Sequence, residues 1–402
     1  MKNFQQWRVI SSLLITILFS STHIQADIKI GAPFALSGSI AELAEDMKGG
    51  AVLAARHINE QGGVLGQNYQ LLFEDSACNP DQAVDVVTRL IQEKNVSAII
   101  GPVCSGATLR QAQSVSIPAG VVTLSVASAS FLISGLRDND LVFRVALSSA
   151  FKGKIMAEYI LAQGITDIAL SFASDGYNTG IAKVFAEAFI AGGGKLTVNQ
   201  AHQPNKPDYK REAAALVAGS KNLVVFAYYN SSGTQLLKDA FATGEVKQVF
   251  GPDGMLAQEL IDALGSEALQ STRLLNDSVD ETREAFKIWE TYAQEAEIPA
   301  RGPFVANSYD AAFMMALAIE AAGTADRSAI SAGLRAISGP DGEVIYPGEF
   351  TKAKTMLAAG KKINYQGGSG IVDFDENGDV PGVLSVNRVT EEKWQAQLLH
   401  QK

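Results

Sequence analysis

The sequence predicts an α/β protein built from two doubly wound parallel-sheet lobes, on the strength of two observations. Short apolar segments alternate with amphipathic segments of helical period, and this alternation runs through the chain twice. A repeated strand–helix–strand order is typical of parallel sheets with right-handed crossovers. Open α/β sheets bind ligands beyond the carboxyl ends of their strands, so two such lobes in series predict a small-molecule site in the cleft between them.

The first set of elements carries clear start and stop signals. Pro80 opens a helix whose apolar residues Val84, Val87 and Ile91 recur at helical spacing, and proline is well suited to the first turn of a helix. The predicted elements are strand 28–36, helix 42–60, strand 69–74, a helix from Pro80, strand 97–100, a helix after Ser105 and strand 119–124.

The same order then begins again, and it becomes less regular toward the C-terminus. Three glycines at 192–194 end a helix of the second set, as expected for a residue type that terminates helices. The predicted elements of the second set are helix 152–163, strand 167–172, helix 181–191, strand 196–199, helix 210–217, strand 223–228, helix 234–242 and a strand ending at Phe250. Those of the last third are helices 281–296, 309–323 and 326–337 and strands 371–374 and 383–389. Periodicity does not show which lobe these last pieces join.

The first 26 residues have the pattern of a secretory signal peptide. Lys2 and Arg8 precede an apolar run at 9–19, and the small residue Ala26 stands just before Asp27. A membrane anchor is the alternative, but a membrane span needs roughly 20 apolar residues and this run is shorter. We therefore expect export and cleavage near Ala26, into the periplasm.

Composition limits the function of the exported part. A formal net charge of -10 argues against nucleic acid and anionic membranes as partners. The chain has only two cysteines, Cys78 and Cys104. In an exported protein this count favours one disulfide, although two buried free thiols are the alternative.

No motif for catalysis or cofactor binding appears in the sequence. A phosphate-binding loop, a Gly-x-Ser-x-Gly elbow and a His-Glu-x-x-His pair are all missing. The histidines beyond the predicted cleavage point, His57, His202 and His400, have no acidic or cysteine companions at ligand spacing. We therefore expect no enzyme activity, no cofactor and no metal, although two carboxylates could still cooperate in catalysis without being close in sequence.

Polar loops at strand ends are instead placed for binding a small ligand. Ser105 follows a buried strand and begins a helix, where backbone N–H groups and a hydroxyl suit a carboxylate. A plain helix cap explains Ser105 equally well. In the second set, Tyr177, Tyr229 and Asp253 follow strand ends, and the Gly-Pro-Asp-Gly setting of Asp253 is also ordinary turn chemistry. Together these loops suggest a clamp for a zwitterion.

The chain resembles the exported type I solute-binding proteins of ABC transporters, particularly the leucine/isoleucine/valine-binding group. The likeness covers nearly all of the chain after residue 26 and consists of an ordered set of segments. These segments are 28–31, 36–38, 54–66, 75–83, 100–105 and 309–311. The resemblance implies a substrate-binding protein that closes its two lobes over a ligand by rotation about a hinge.

The resemblance also implies roles for residues of the first lobe. Cys78 and Cys104 would form the family's disulfide beside the site, and Ser105 would hold the ligand carboxylate. The backbone of Ala127 would contact the ligand. Ala129 stands where the family often has threonine, so the neighbouring Ser128 would have to supply the hydroxyl.

In the second lobe the resemblance implies that Tyr177 and Tyr229 close over the ligand and that Asp253 meets its α-ammonium group. Leu43 stands where relatives of known specificity carry an aromatic ring against the ligand side chain. This difference leaves the side-chain preference open.

The resemblance implies three crossovers between the lobes, near 145–149, 277–280 and 379–382. Lobe 1 is then 27–146 plus 279–380, and lobe 2 is 147–278 plus 381–402. The expected function is capture of a small hydrophobic or polar-neutral amino acid for an inner-membrane ABC permease, by a monomer. The alternatives are another solute, such as an aromatic carboxylate, an amide or urea, a sensor role at a membrane receptor, and a secreted hydrolase.

Overall fold

The structure is a computed structural model that describes residues 27–38 and 40–399 of the chain. The predicted signal peptide at 1–26 therefore lies outside the described residues. Within the described ranges the strands form sheets of five, seven and three strands, and helices pack on the two larger sheets. The predicted α/β class is confirmed.

The five-stranded sheet is entirely parallel and has the order β2-β1-β3-β4-β5. Its strands are β1 (Ile28–Phe34), β2 (Tyr69–Asp75), β3 (Ala98–Ile100), β4 (Thr123–Ser125) and β5 (Val142–Arg144). The direction of winding reverses between β1 and β3, and ligands bind at such a switch point in open α/β sheets.

The seven-stranded sheet repeats this topology. Its strands are β6 (Asp167–Ala173), β7 (Lys195–His202), β8 (Asn222–Phe226), β9 (Gln248–Pro252), β10 (Thr272–Ser278), β14 (Val383–Thr390) and β15 (Lys393–Leu399). The order is β15-β14-β10-β9-β8-β6-β7, in which β6 to β10 are parallel and the last two strands are antiparallel. The switch point here lies between β6 and β8.

Helices complete both lobes. They are α1 (Ala41–Glu60), α2 (Pro80–Gln92), α3 (Ser105–Gln111), α4 (Phe131–Ser134), α5 (Ser149–Ala162), α6 (Gly176–Ala191), α7 (Lys210–Gly219), α8 (Thr234–Phe241), α9 (Gln258–Leu264), α10 (Glu284–Glu295), α11 (Val305–Ala322), α12 (Arg327–Ile337) and α13 (Phe350–Ala358). Among the described residues, no helix is long and apolar enough to cross a membrane.

Helix α11 lies at the centre of the first lobe, and its close packing there explains why the helix is rich in alanine. It packs against α1 and α12, and its residues 305–306 and 308–319 are buried. A methyl group on Gly50 of α1 would lie 2.4 Å from the Val305 carbonyl oxygen, so this helix pair approaches closely only because Gly50 has no side chain.

Two features of the last third differ from the sequence prediction. The predicted strand at 371–374 is wrong beyond Ile371, because β13 (Gly370–Ile371) pairs with β12 (Ile363–Gly367) over only two residue pairs. Strand β12 also pairs in parallel with β11 (Glu343–Ile345), which periodicity did not reveal. Strands β11 and β13 are too short to show a period-2 pattern.

The chain passes between the two large sheets three times. It does so between β5 and α5, between β10 and α10, and between β13 and β14. A buried ion pair joins the first and third of these connections, since Arg144 Nε lies 2.6 Å from Asp379 Oδ1 and Arg144 Nη2 lies 2.9 Å from Asp379 Oδ2. The Arg144 side chain is fully buried.

Candidate ligand-binding site

Loops at the carboxyl ends of β3 and β4 form one wall of the site. Ser105 is the first residue of α3, and its nearly buried hydroxyl accepts a 3.1 Å hydrogen bond from the backbone N–H of Ser130. The Ser105 side chain does not cap its own helix, since the N-cap residue is Cys104. A hydroxyl that accepts from a backbone N–H still has its own proton to donate, so Ser105 can donate to a ligand carboxylate.

Three hydroxyl groups around the serine-rich loop after β4 share one carbonyl acceptor. The Pro102 carbonyl oxygen accepts hydrogen bonds from the hydroxyls of Thr108 at 3.1 Å, Ser125 at 2.9 Å and Ser128 at 3.2 Å. Ser128 is fully buried, so its hydroxyl serves the loop rather than the cleft. The loop thereby places the Ala127 backbone at the cleft.

A disulfide joins this wall to the start of α2. Cys78 and Cys104 are bonded, with their Cα atoms 5.4 Å apart, so the predicted bridge is confirmed and the alternative of free thiols is wrong. Cys104 lines the cleft directly before Ser105. The bridge therefore holds in place the loop that presents the Ser105 hydroxyl.

Loops after β6, β8 and β9 form the opposite wall and carry Tyr177, Tyr228 and Asp253. Asp175 caps α6 by accepting hydrogen bonds from the backbone N–H groups of Tyr177 and Asn178, both at 2.9 Å, and this cap directs the Tyr177 ring toward the cleft. The rings of Tyr177 and Tyr228 lie 6.3 Å apart. Tyr228 is followed by a π-helical turn at Tyr229–Gly233, a type of irregularity that is common at functional sites.

Both carboxylate oxygens of Asp253 have partners within the protein. The Tyr177 hydroxyl donates a short hydrogen bond to Oδ1, and the backbone N–H of Gly254 donates to the same atom at 3.1 Å. The Lys152 ammonium donates to Oδ2 at 3.0 Å. Burial and the neighbouring Asp253 charge hold the pKa of Tyr177 well above its ordinary value, so Tyr177 acts as a neutral donor.

Lys152 of α5 lies at the base of this wall between two carboxylates. Its ammonium is 3.0 Å from Asp253 and 2.7 Å from Asp277, and its side chain is 3% exposed. Burial by itself lowers the pKa of Lys152, but the two carboxylates outweigh burial and raise it above the ordinary value. Burial raises the pKa of Asp277 to about 6, against the opposing effect of Lys152.

A cavity of about 60 Å³ lies between the two walls. It is lined by Ile40, Leu43, Met47, Val103, Cys104, Ser105, Ala127, Tyr177, Tyr228, Asp253, Gly254, Pro303 and Phe304. Polar groups lie at opposite sides and apolar side chains lie between them. The lobes touch at one edge, where a methyl group on Gly176 would lie 3.2 Å from the Gly106 backbone nitrogen.

Most of the residues singled out from the sequence meet in this cavity. Leu43, Ser105, Ala127, Tyr177 and Asp253 all line it. Of the other three, Ser128 and Ala129 are buried behind the wall, and Tyr229 lies next to it with Tyr228 in its place on the cavity. The structure thus brings Tyr228 to the cleft, one position before the tyrosine expected from the resemblance.

Lys152 and Phe304 are among the residues of the site that the sequence reasoning missed. Lys152 could have been found, because it lies one helical turn from the buried Met156 on the apolar side of α5, where a lysine needs a charged partner. Phe304 gives no such signal. It adopts a left-handed backbone conformation with a φ of 60° just before α11, and its ring covers the Lys152 ammonium at 5.7 Å.

The described residues contain no group of three or more histidine, cysteine, aspartate or glutamate side chains arranged to hold a metal ion. The polar groups that line the cavity are hydroxyls, backbone N–H groups and the Asp253 carboxylate, which is paired with the Lys152 ammonium. These groups can bind a small polar molecule by hydrogen bonds and charge pairing.

Two α/β lobes of equal topology, closed over a small cavity with polar groups on facing walls, define a two-lobed solute-binding protein. The chain belongs to the periplasmic binding protein family, whose model matches residues 27–361. The resemblance noted in the sequence is thus confirmed at the level of the family. That family is one of binding proteins rather than enzymes.

Several known relatives carry names that refer to amino acids. The Leu/Ile/Val-binding protein BraC3 of Rhizobium johnstonii is 26% identical over 332 residues, which are 82% of this chain and 89% of the relative. The structure of the leucine-binding protein LivK of Thermotoga maritima superposes with a TM-score of 0.78 at 23% identity, over 92% of this chain and 97% of the other. The structure of the branched-chain amino acid transporter substrate-binding protein LivJ of Streptococcus pneumoniae, in complex with isoleucine, superposes with a TM-score of 0.75 at 22% identity. The superposition covers 93% of this chain and 99% of the other.

Proposed function

We propose that this protein is the periplasmic solute-binding component of an ABC importer. It captures a small amino acid, branched-chain or similarly hydrophobic, between its lobes and delivers it to the membrane permease without carrying out a reaction. The observation that carries this proposal is the cavity between the lobes, with the Ser105 hydroxyl on one wall and the Asp253 carboxylate on the other. The names of the relatives support the same class of ligand.

The two polar walls complement the two charges of an α-amino acid. The ligand carboxylate meets Ser105 and the backbone near Ala127, and the ammonium group meets Asp253. A charge buried between closed lobes costs several kcal/mol unless it is paired, so both ends of a zwitterion need a partner. A simple carboxylate without an amine would be repelled by Asp253.

Apolar residues surround the position of the ligand side chain. Leu43, Met47 and Phe304 line the cavity between its polar walls and offer no hydrogen-bond partner in their side chains. A hydrophobic side chain is therefore favoured over a charged one. The cavity has a volume of about 60 Å³.

The cellular setting follows from the family and from the N-terminal pattern. Residues 1–26 would direct export to the periplasm and be removed near Ala26. The lobes would be 27–146 plus 279–380 and 147–278 plus 381–402, and a monomer would present both lobe tips to an inner-membrane permease. No nucleic acid is expected as a partner, given the net charge of -10.

Calorimetric titration tests the proposal directly. The chain without residues 1–26 is unfolded to remove co-purified ligand, refolded, and titrated with leucine, isoleucine, valine, alanine, benzoate and urea. We expect one-to-one binding of one or more of the amino acids and no binding of benzoate or urea. Binding of benzoate or urea alone would overturn the amino-acid assignment.

Asp253→Asn, with Asp262→Asn as the matched control, tests the ammonium partner. Asp262 lies exposed on α9 of the same lobe, away from the cavity, so its replacement should leave affinity unchanged. Loss of the charge at Asp253 should weaken amino-acid binding by roughly 100-fold, as for a charged hydrogen bond worth about 1.5–3 kcal/mol. Wild-type affinity in Asp253→Asn would show that the ammonium group binds elsewhere.

A further inference from the structure

The cleft contains a buried group of three charges that the binding of an amino acid does not by itself require. The Lys152 ammonium is paired with Asp253 and Asp277, whose side chains are 7% and 13% exposed. The rings of Tyr177 and Phe304 cover the ammonium at 5.6 and 5.7 Å. Side chains of the protein thus surround this ammonium on several sides and restrict its access to water.

The three groups together carry one negative charge, because one ammonium stands against two carboxylates. Without Lys152 the two buried carboxylates would repel each other, and without Asp277 the pair of Lys152 and Asp253 would be neutral. Because unpaired charge is costly inside a protein, the number of charges in the cluster constrains the charge of the ligand group that can be buried beside it.

Asp277 does not line the ligand cavity, whereas Asp253 does. Asp277 is held from the other side by the backbone N–H of Leu147, which donates to it at 3.2 Å from the first interlobe connection. Asp277 lines the neighbouring, larger cavity of about 590 Å³, which shares Pro303 and Phe304 with the ligand cavity. Asp277 can therefore influence a bound ligand through its charge but not through direct contact.

We infer that Lys152 and Asp277 are charge-setting residues that make the cleft select a ligand with one ammonium group over the same molecule without it. This inference rests on the proposed function and extends it to two residues that need not touch the ligand. An amino acid with a neutral side chain brings one positive charge to Asp253 and neutralises the cluster. A carboxylate that lacks the amine leaves the negative charge unpaired.

The test compares L-leucine with 4-methylpentanoate, which is leucine without its amine. Binding of both is measured by calorimetry for wild type, Asp277→Asn and the double variant Lys152→Met/Asp277→Asn. In Asp277→Asn the cluster is neutral, so the preference for leucine over 4-methylpentanoate should fall roughly tenfold or more, as expected for charges a few ångströms apart in a protein. In the double variant Asp253 alone remains charged, so the preference should return toward wild type.

This return distinguishes charge from packing. If Lys152 and Asp277 only shaped the cleft, the double variant would lose at least as much preference as the single one, and that result would overturn the inference. An unchanged preference in Asp277→Asn would overturn it as well. Failure of wild type to bind any amino acid is a different outcome, and it would remove the proposed function itself.

A measurement on wild type keeps the inference testable even if a variant does not fold. Burial raises the pKa of Asp277 to about 6, and the groups that face it are Lys152, Asp253 and Tyr177. Protonation of Asp277 neutralises the cluster without a substitution. The preference for leucine should therefore decrease between about pH 7.5 and about pH 5.5, where a carboxylic acid with an ordinary pKa stays ionised. A constant preference over that range would contradict the inference.

Discussion

Asp379→Asn should destabilise the protein strongly, because it leaves a buried guanidinium without its counter-ion. Asp379 accepts hydrogen bonds from Arg144 Nε at 2.6 Å and Nη2 at 2.9 Å, and from the Ser134 hydroxyl at 2.7 Å. Arg144 also donates to the Ser130 carbonyl at 2.7 Å. The substitution keeps the size of the side chain but removes its charge.

The magnitude follows from the contacts that are lost. Two hydrogen bonds between charged groups are replaced, each worth about 1.5–3 kcal/mol, and Arg144 is fully buried and cannot turn to water. Breaking a buried ion pair by removing one partner costs about 3–5 kcal/mol. We therefore expect the free energy of unfolding to fall by about 3–5 kcal/mol.

Urea denaturation followed by tryptophan fluorescence and far-ultraviolet circular dichroism measures this change. Trp289 lies in the first lobe and Trp394 in the second. If the fluorescence and circular dichroism curves had different midpoints, the two lobes would be unfolding separately. Glu158→Gln is the control, since Glu158 forms an exposed pair with Lys154 at 3.9 Å and its removal should cost less than about 1 kcal/mol.

Replacement of both charges separates pairing from packing. The double variant Arg144→Met/Asp379→Leu removes the buried charge altogether and should be more stable than Asp379→Asn. A cost below about 1 kcal/mol for Asp379→Asn would refute the reasoning, because it would mean that the Arg144 guanidinium is neutralised or hydrated in another way.

Three further predictions concern stability. Burial lowers the pKa of His202 to about 4, so only the unfolded state takes up a proton at this residue as the pH falls below about 6.5. The free energy of unfolding should therefore decrease by about 3 kcal/mol between about pH 6.5 and about pH 4. In acid denaturation curves, His202→Gln should abolish this decrease. Joint replacement of Cys78 and Cys104 by serine should cost about 3 kcal/mol in urea melts, and no change on adding reductant to wild type would contradict this. Gly50→Ala should destabilise by about 1–3 kcal/mol in thermal melts, whereas Gly49→Ala, which meets only a side-chain carbon at 3.2 Å, should cost less.

Local patterns predicted much of the fold. Pro80 is the first residue of α2, as predicted, and the preceding Asn79 caps the helix by accepting hydrogen bonds from the N–H groups of Asp81 and Gln82. Capping and helical period depend on residues close together in the chain, so the sequence displays them. The short strands β11 and β13 were missed or misplaced because strands of three and two residues are too short to show a period-2 pattern.

The candidate site was predictable in part, for a similar reason. Ser105, Ala127, Tyr177 and Asp253 each follow a strand, and strand ends of parallel sheets gather at one edge. Which of the neighbouring tyrosines 228 and 229 faces the cleft depends on the π-helical turn after β8, and the sequence carries no sign of that turn.

The sequence by itself determined the α/β class, the two-lobed architecture and five of the residues that line the cleft, because these follow from periodicity, strand ends and family motifs. Only the tertiary structure revealed that Asp253 is already paired with Lys152, that Asp277 shares this ammonium, and that Phe304 closes over it. Lys152 and Asp253 are separated by 101 positions in the chain. Electrostatic interactions depend on distance in space and on burial, and neither quantity can be read from the order of residues.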